Sequence, residues 1–155
     1  MMKLTIVIAL GLATAACAGV RTPPTTAPGP NFLERNAAAR RVLSTPSSLQ
    51  YFVVLSGPKT GRPPVDNEVV TFHYEGKLLT GETFDSSFER GEPVSGPVGA
   101  FVPGFNEALK LMRPGDEWIV WIPPELGYGA EATGPIPANS ILRFRLALQS
   151  VGATT

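Results

Sequence analysis

The sequence predicts an α+β domain, an antiparallel sheet with one short α-helix packed across its face, and three observations carry that expectation. Apolar residues alternate with polar ones in Val70, Phe72 and Tyr74, in Trp118, Val120 and Ile122, and in Leu142, Phe144, Leu146 and Leu148, the period of half-buried strands. Phe105, Leu109 and Met112 recur instead at spacings of four and three, which is one face of a helix. Glycine and proline stand at 16 each in 155 residues, a composition that suits many turns better than a helical bundle. This length allows one ordinary domain, and 43% apolar residues suffice for its core.

Taken in order, the chain opens with Lys3, the apolar run Leu4 to Leu12 and small residues from Ala13 to Ala18, the form of a secretory leader. The run is too short to span a bilayer. The small residues that follow it include Cys17, the only cysteine, so no intrachain disulfide can form. The stretch Leu12-Ala13-Thr14-Ala15-Ala16-Cys17 resembles a bacterial lipoprotein cleavage site, in which small residues precede a cysteine that is diacylated and becomes the new N-terminus. Thr14 stands where such sites usually carry leucine, and an Ala-x-Ala site followed by release of a soluble protein is the alternative. Residues 1–17 are read as a leader with Cys17 as the lipidation site. The protein is then expected in the periplasm or cell envelope, held to a membrane through that lipid.

Residues 18–30, with Pro23, Pro24, Pro28 and Pro30 among Thr, Ala and Gly, read as an extended tether that cannot bury anything. Within 31–48, Asn31 and Glu34 fit a helix N-cap with its reciprocal partner, and Ala37 to Ala39 favour a short helix to about Leu43. A helix of that length is marginal by itself, so no dimer is expected from it. The folded domain is expected over 49–152. It begins with a strand from Leu49 to Leu55 and a turn-rich stretch from Ser56 to Asp66. A hairpin through Thr80-Gly81 returns along Thr83 and Phe84, and Pro114-Gly115 closes the helix.

The usual catalytic toolkits are missing from this sequence. Acidic and basic residues balance at 13 each, and loss of a leader containing Lys3 leaves an excess of one acid, so nucleic acid is not an expected partner. The one histidine, His73, falls on the outward face of a strand, where a partly exposed structural residue is the ordinary reading. A nucleophilic triad would have to use His73, a single histidine and cysteine cannot form a His/Cys metal cluster, and no cofactor is expected. Gly96 to Gly104 lacks the Lys-Ser/Thr of a phosphate loop. What remains is a surplus of aromatic residues near loops, which points to an apolar pocket.

Five strings then carry a specific resemblance. They are Val70-Thr71-Phe72-His73-Tyr74-Glu75-Gly76 with Gly81-Glu82-Thr83-Phe84-Asp85-Ser86-Ser87, Val102-Pro103-Gly104-Phe105-Asn106-Glu107-Ala108-Leu109, Ile122-Pro123-Pro124-Glu125-Leu126-Gly127-Tyr128-Gly129, and Ile136-Pro137-Ala138-Asn139-Ser140. In order and interval they resemble the FKBP-type peptidyl-prolyl cis/trans isomerases over roughly 100 residues from Leu49. Phe32 to Asn36 is similar to the segment before the domain in the secreted bacterial, macrophage-infectivity-potentiator-like branch. The resemblance implies a strongly curved antiparallel sheet wrapped around one short helix.

It also implies that Tyr74, Phe84, Val102, Phe105, Tyr128 and Phe144 line a hydrophobic cup, with Ile136 at its rim and Val94 at its edge. Asp85 matches the family's buried pocket carboxylate, with Arg90 as its ion partner and the Tyr74 hydroxyl as a hydrogen-bond partner. Tyr128 and the Val102 N–H are the expected donors to substrate carbonyls. Asp85, Tyr74 and Tyr128 are thus the catalytic candidates, and proline-containing segments of exported polypeptides the expected partners. Macrolide-type inhibitors are a further expected class. Phe105 stands where the family usually has tryptophan, keeping an aromatic floor without the indole N–H. Val94 replaces a frequent aromatic, and the loop before Phe101 is shorter than in the small cytosolic forms, so a more open cup is expected. A chaperone or binding module that holds proline segments with little catalysis, and a scaffold lipoprotein, are the alternative functions.

Overall fold

The structure is a computed structural model that describes residues 31–152. The expected leader 1–17, with Cys17, and the tether 18–30 lie outside the described residues. In chain order the elements are α1 (Asn31–Ala37), β1 (Leu43–Ser44), β2 (Gln50–Leu55), β3 (Val69–Leu78), β4 (Thr83–Ser86), α2 (Ser87–Arg90), β5 (Val94–Pro97), α3 (Pro103–Leu111), β6 (Glu117–Ile122), a 3-10 turn (Pro124–Leu126) and β7 (Leu142–Val151).

The alternating stretches become the long strands of a single antiparallel sheet, ordered β1-β2-β6-β7-β3-β4. The outer side of β3 is shared, with β5 pairing Val69 to Phe72 and β4 pairing Glu75 to Lys77. Period two explains which face is buried. Trp118, Val120 and Ile122 of β6 and Leu142, Phe144, Leu146 and Leu148 of β7 all turn into one core, while Arg143 and Arg145 point the other way. Register shifts at Val53/Leu55, Thr71/Phe72 and Gly76/Lys77 interrupt the regular ladders, and irregularities of this kind bend and twist strands. The α+β expectation of a curved sheet around a short helix therefore holds.

The helix in that core is α3. Phe105, Ala108, Leu109 and Met112 form its buried face. Pro103 sits in its first turn, where a missing N–H costs nothing. Gly104 follows because a Cβ there would come within 2.6 Å of Ile122 Cγ2, so only glycine lets α3 lie this close to β6. The helix ends where the Met112 N–H bonds back to the Ala108 and Leu109 carbonyls. Buried Asp116 then locks the reversal, accepting from the Arg113 N–H at 2.9 Å and the Gly57 N–H at 2.7 Å.

The N-terminal helix departs from expectation. It stops at Ala37 rather than near Leu43, and Leu43–Ser44 pairs with β2. Long-range contacts outweigh alanine propensity here. Asn36 Nδ2 donates to Gln50 Oε1 at 2.8 Å and Gln50 Nε2 donates to the Leu33 carbonyl at 2.7 Å, fastening α1 to β2. Arg41, at φ 70, reverses the chain into β1. No described helix is long and apolar enough to cross a membrane.

Candidate active site

A cavity of about 480 Å³ opens between the sheet and α3. Strand β3 contributes Phe72 and Tyr74, β4 contributes Phe84 and Asp85, and β5 contributes Val94. The loop into α3 adds Ala100, Phe101 and Val102, while Phe105 comes from α3, Phe144 from β7 and Tyr128 from the loop after the 3-10 turn. Phe105 is the hub. Its ring centroid lies 5.2 Å from Phe144 at 90°, 5.2 Å from Phe101, 5.3 Å from Phe72 and 6.1 Å from Tyr74 at 86°. Edge-to-face contacts of this kind suit the ring quadrupoles and hold the rings in place. Phe84 meets Phe144 edge-on at 5.6 Å. That packing needs Gly76, since a Cβ there would come within 2.5 Å of Phe84 and 2.8 Å of Phe144.

The polar wall is built by β3, β4 and α2. Ser86 caps α2 by accepting the Glu89 N–H at 3.2 Å, and fully buried Ser87 accepts the Tyr74 N–H at 2.8 Å. These bonds dock α2 on β3 and carry Arg90, in the last turn of α2, beside Asp85. The Tyr74 hydroxyl donates to one Asp85 oxygen and the Arg90 guanidinium donates to the other. Arg90 also donates to the Tyr74 oxygen at 3.2 Å and lies 5.7 Å from the centre of its ring. Burial pushes the Asp85 pKa upward, but the Tyr74 and Arg90 hydrogen bonds outweigh it and hold the carboxyl below its ordinary value. The Tyr74 phenol is raised, by burial first and by the Asp85 carboxylate second.

The structure brings Tyr74, Phe84, Asp85, Val94, Val102, Phe105, Tyr128 and Phe144 to this one cavity. Ile136 is different. It does not reach the rim but lies in the core at 4% exposure, held by a backbone bridge with Thr133 in which each N–H donates to the other's carbonyl at 2.9 Å. Asp85 also departs from expectation, because its side chain is 42% exposed rather than buried. Its place beside the mouth, where Tyr128 is itself 40% exposed, explains the difference. Phe72, Ala100 and Phe101 are lining residues that sequence reasoning missed. Phe72 shares the inward period of Tyr74 and could have been found, whereas Ala100 and Phe101 lie in a loop with no periodic signal.

His73 lies apart from the cavity. It stacks on Phe88 at 4.9 Å, and its Nδ1 is 3.0 Å from Ser87 Oγ. Among the described residues no three His, Cys, Asp or Glu side chains converge as a metal site.

The profile of FKBP-type peptidyl-prolyl cis-trans isomerases matches residues 60–149. The chain belongs to that family. Among its curated relatives, the FKBP-type 22 kDa peptidyl-prolyl cis-trans isomerase of Escherichia coli is 44% identical over 126 residues, covering 81% of this chain and 60% of the relative. The peptidyl-prolyl cis-trans isomerase Mip of Coxiella burnetii is 40% identical over 77% of this chain and 52% of its own. Relatives of this kind identify the Mip-like branch of the FKBP family. The chain spans about half the length of the curated relatives it matches. The crystal structure of FkpA from Escherichia coli is similar with a TM-score of 0.74 and 37% identity, covering 78% of this chain and 56% of that one. That of AtFKBP13 is similar with a TM-score of 0.66 and 30% identity, covering 73% of this chain and 100% of that one.

Proposed function

We propose that this chain is a peptidyl-prolyl cis/trans isomerase that accelerates rotation about X-Pro bonds in exported polypeptides, without a covalent intermediate. The observation that carries the reading is an aromatic cavity with a paired carboxylate, rather than a nucleophile, in its wall. Rotation of an X-Pro amide meets a barrier of about 20 kcal/mol, because it breaks the resonance of the peptide bond. The twisted amide has lost that resonance and with it much of its charge separation, so transfer from water into an apolar cup costs it less than it costs the planar form. Each ~1.4 kcal/mol of such preference gives about tenfold in rate.

In this reading the proline ring rests on Phe105, walled by Phe84, Phe144 and Tyr74. Tyr128, at the mouth, and the Val102 N–H donate to substrate carbonyls. Asp85 is read as an electrostatic group rather than a proton acceptor, each of its oxygens accepting a hydrogen bond from Tyr74 or Arg90. Its role is to fix the Tyr74 ring and to set the field across the cup. Export is supported by the leader-like residues 1–17 and by the name of a relative in Legionella longbeachae, "Outer membrane protein MIP", 39% identical over 126 residues. With Cys17 lipidated and 18–30 as a tether, the domain would work at a membrane surface.

The test is a protease-coupled or NMR exchange assay on a short proline peptide. The wild type is expected to accelerate exchange, and Asp85→Ala to lose about ten- to a hundredfold in kcat/KM, the range for a lost charge-assisted hydrogen-bond pair. Full activity in Asp85→Ala would remove Asp85 from the mechanism. Binding of the peptide without acceleration by the wild type would favour a chaperone that holds proline segments.

A further inference from the structure

Asn106 lies in the first turn of α3, yet its side chain reaches back to the loop before the helix. Its Nδ2 donates to the Phe101 carbonyl at 2.6 Å. Its Oδ1 accepts the Gly99 N–H at 2.8 Å and the Phe101 N–H at 3.4 Å. One carboxamide therefore grips the loop with a donor and an acceptor together, a combination that aspartate at neutral pH cannot offer.

The Phe101 carbonyl and the Val102 N–H belong to the same peptide unit. A planar trans peptide points its carbonyl and its N–H in opposite directions. Holding the carbonyl on Asn106 consequently holds the N–H pointing away from Asn106. Val102 lines the cavity, and its N–H donates to no protein group among the described residues. A backbone donor in a partly buried position ordinarily has a partner, and the cavity is where this one can find it. The bond at the carbonyl end also polarises the peptide, which strengthens the donor at the other end.

We propose that Asn106 is a positioning residue of the site, orienting the Val102 N–H as a donor to a carbonyl of the bound proline-containing segment. The proposal rests on the reading of the cavity as an X-Pro site. Asn106 is not a lining residue and acts through the one peptide unit it holds.

The experiment uses the full chain labelled with nitrogen-15, a short proline peptide with apolar flanks, and the variants Asn106→Asp and Asn106→Ala in parallel. Aspartate keeps the size and the acceptor oxygens for Gly99 and Phe101 but loses the donor, while alanine removes both without adding charge. In the wild type the Val102 amide resonance should move when peptide is added. Both variants should keep a dispersed spectrum, lose that movement and fall about five- to tenfold in kcat/KM, the worth of one net hydrogen bond. If the wild type and a folded variant turn over peptide equally and the Val102 amide responds in both, the role of Asn106 is overturned while the pocket reading stands. If the wild-type chain neither binds nor isomerises the peptide, the pocket reading fails and this proposal fails with it.

Discussion

Asp85, Tyr74 and Arg90 form a closed triangle of hydrogen bonds at the edge of an apolar cup, and their protonation states set a pH window. The folded-state pKa of Asp85 lies below its ordinary value of about 3.9. Its contribution to stability is therefore present above that ordinary value and lost as pH falls through the folded one. Tyr74 is shifted the other way, above about 10. The neutral phenol's contribution is present below the ordinary value and lost as pH rises through the raised one. Between these limits the triangle stays intact. Thermal unfolding midpoints followed from pH 6 to pH 3 should thus fall more steeply for the wild type than for Asp85→Asn, and parallel curves would show that the pair contributes nothing to stability. Much of the cavity was legible residue by residue because Tyr74, Phe84, Asp85, Phe105, Tyr128 and Phe144 sit inside strings with family spacing. The exposure of Asp85 was not legible, since a motif records which residues meet and not how far water reaches them. Nor was the burial of Ile136 legible, since no pattern announces the Thr133–Ile136 bridge on which it sits.

Among the elements, α3 connects stability to the site, since the side chains that fill the core and the ring that floors the cavity lie on one helix face. Leu109 is fully buried one turn after Phe105. Leu109→Ala should lower unfolding free energy in urea by about 2–5 kcal/mol, the range for a buried leucine that leaves a cavity. A loss below about 1 kcal/mol would mean that the core collapses to refill the space. The helix, β3, β6 and β7 were readable because each has a clean period of 3.6 or two. Among the shorter elements, β1, α2 and β5 were not. β1 has two residues and both are exposed, and β5 exists because β3 offers it an edge from Val69 to Phe72. Such pieces are made by their neighbours rather than by their own sequence. The early end of α1 is of the same kind, since Leu43 and Ser44 pair with Tyr51 and Gln50 of β2 instead of continuing the helix.

On the scale of the whole molecule, the proposed anchor and tether would hold the folded domain at a membrane surface. Metabolic labelling with palmitate should mark the wild-type protein and not Cys17→Ser, and absence of label on the wild type would leave residues 1–17 as a leader that releases a soluble product. The overall architecture was legible because alternation and one helical face suffice for an α+β sheet-and-helix arrangement, but the strand order was not. Periodicity says which side of a strand is buried and nothing about its neighbour. That order has a consequence of its own. β7, the last of the described strands, lies in the interior of the sheet, joining β6 to β3 along nine paired positions of β3. Residues 142–151 must therefore arrive before β3 and β6 can be joined, and contacts so distant in sequence are the slow ones to form. Until residues 142–151 are present, β3 and β6 share no neighbour, and the sheet remains in two separate parts.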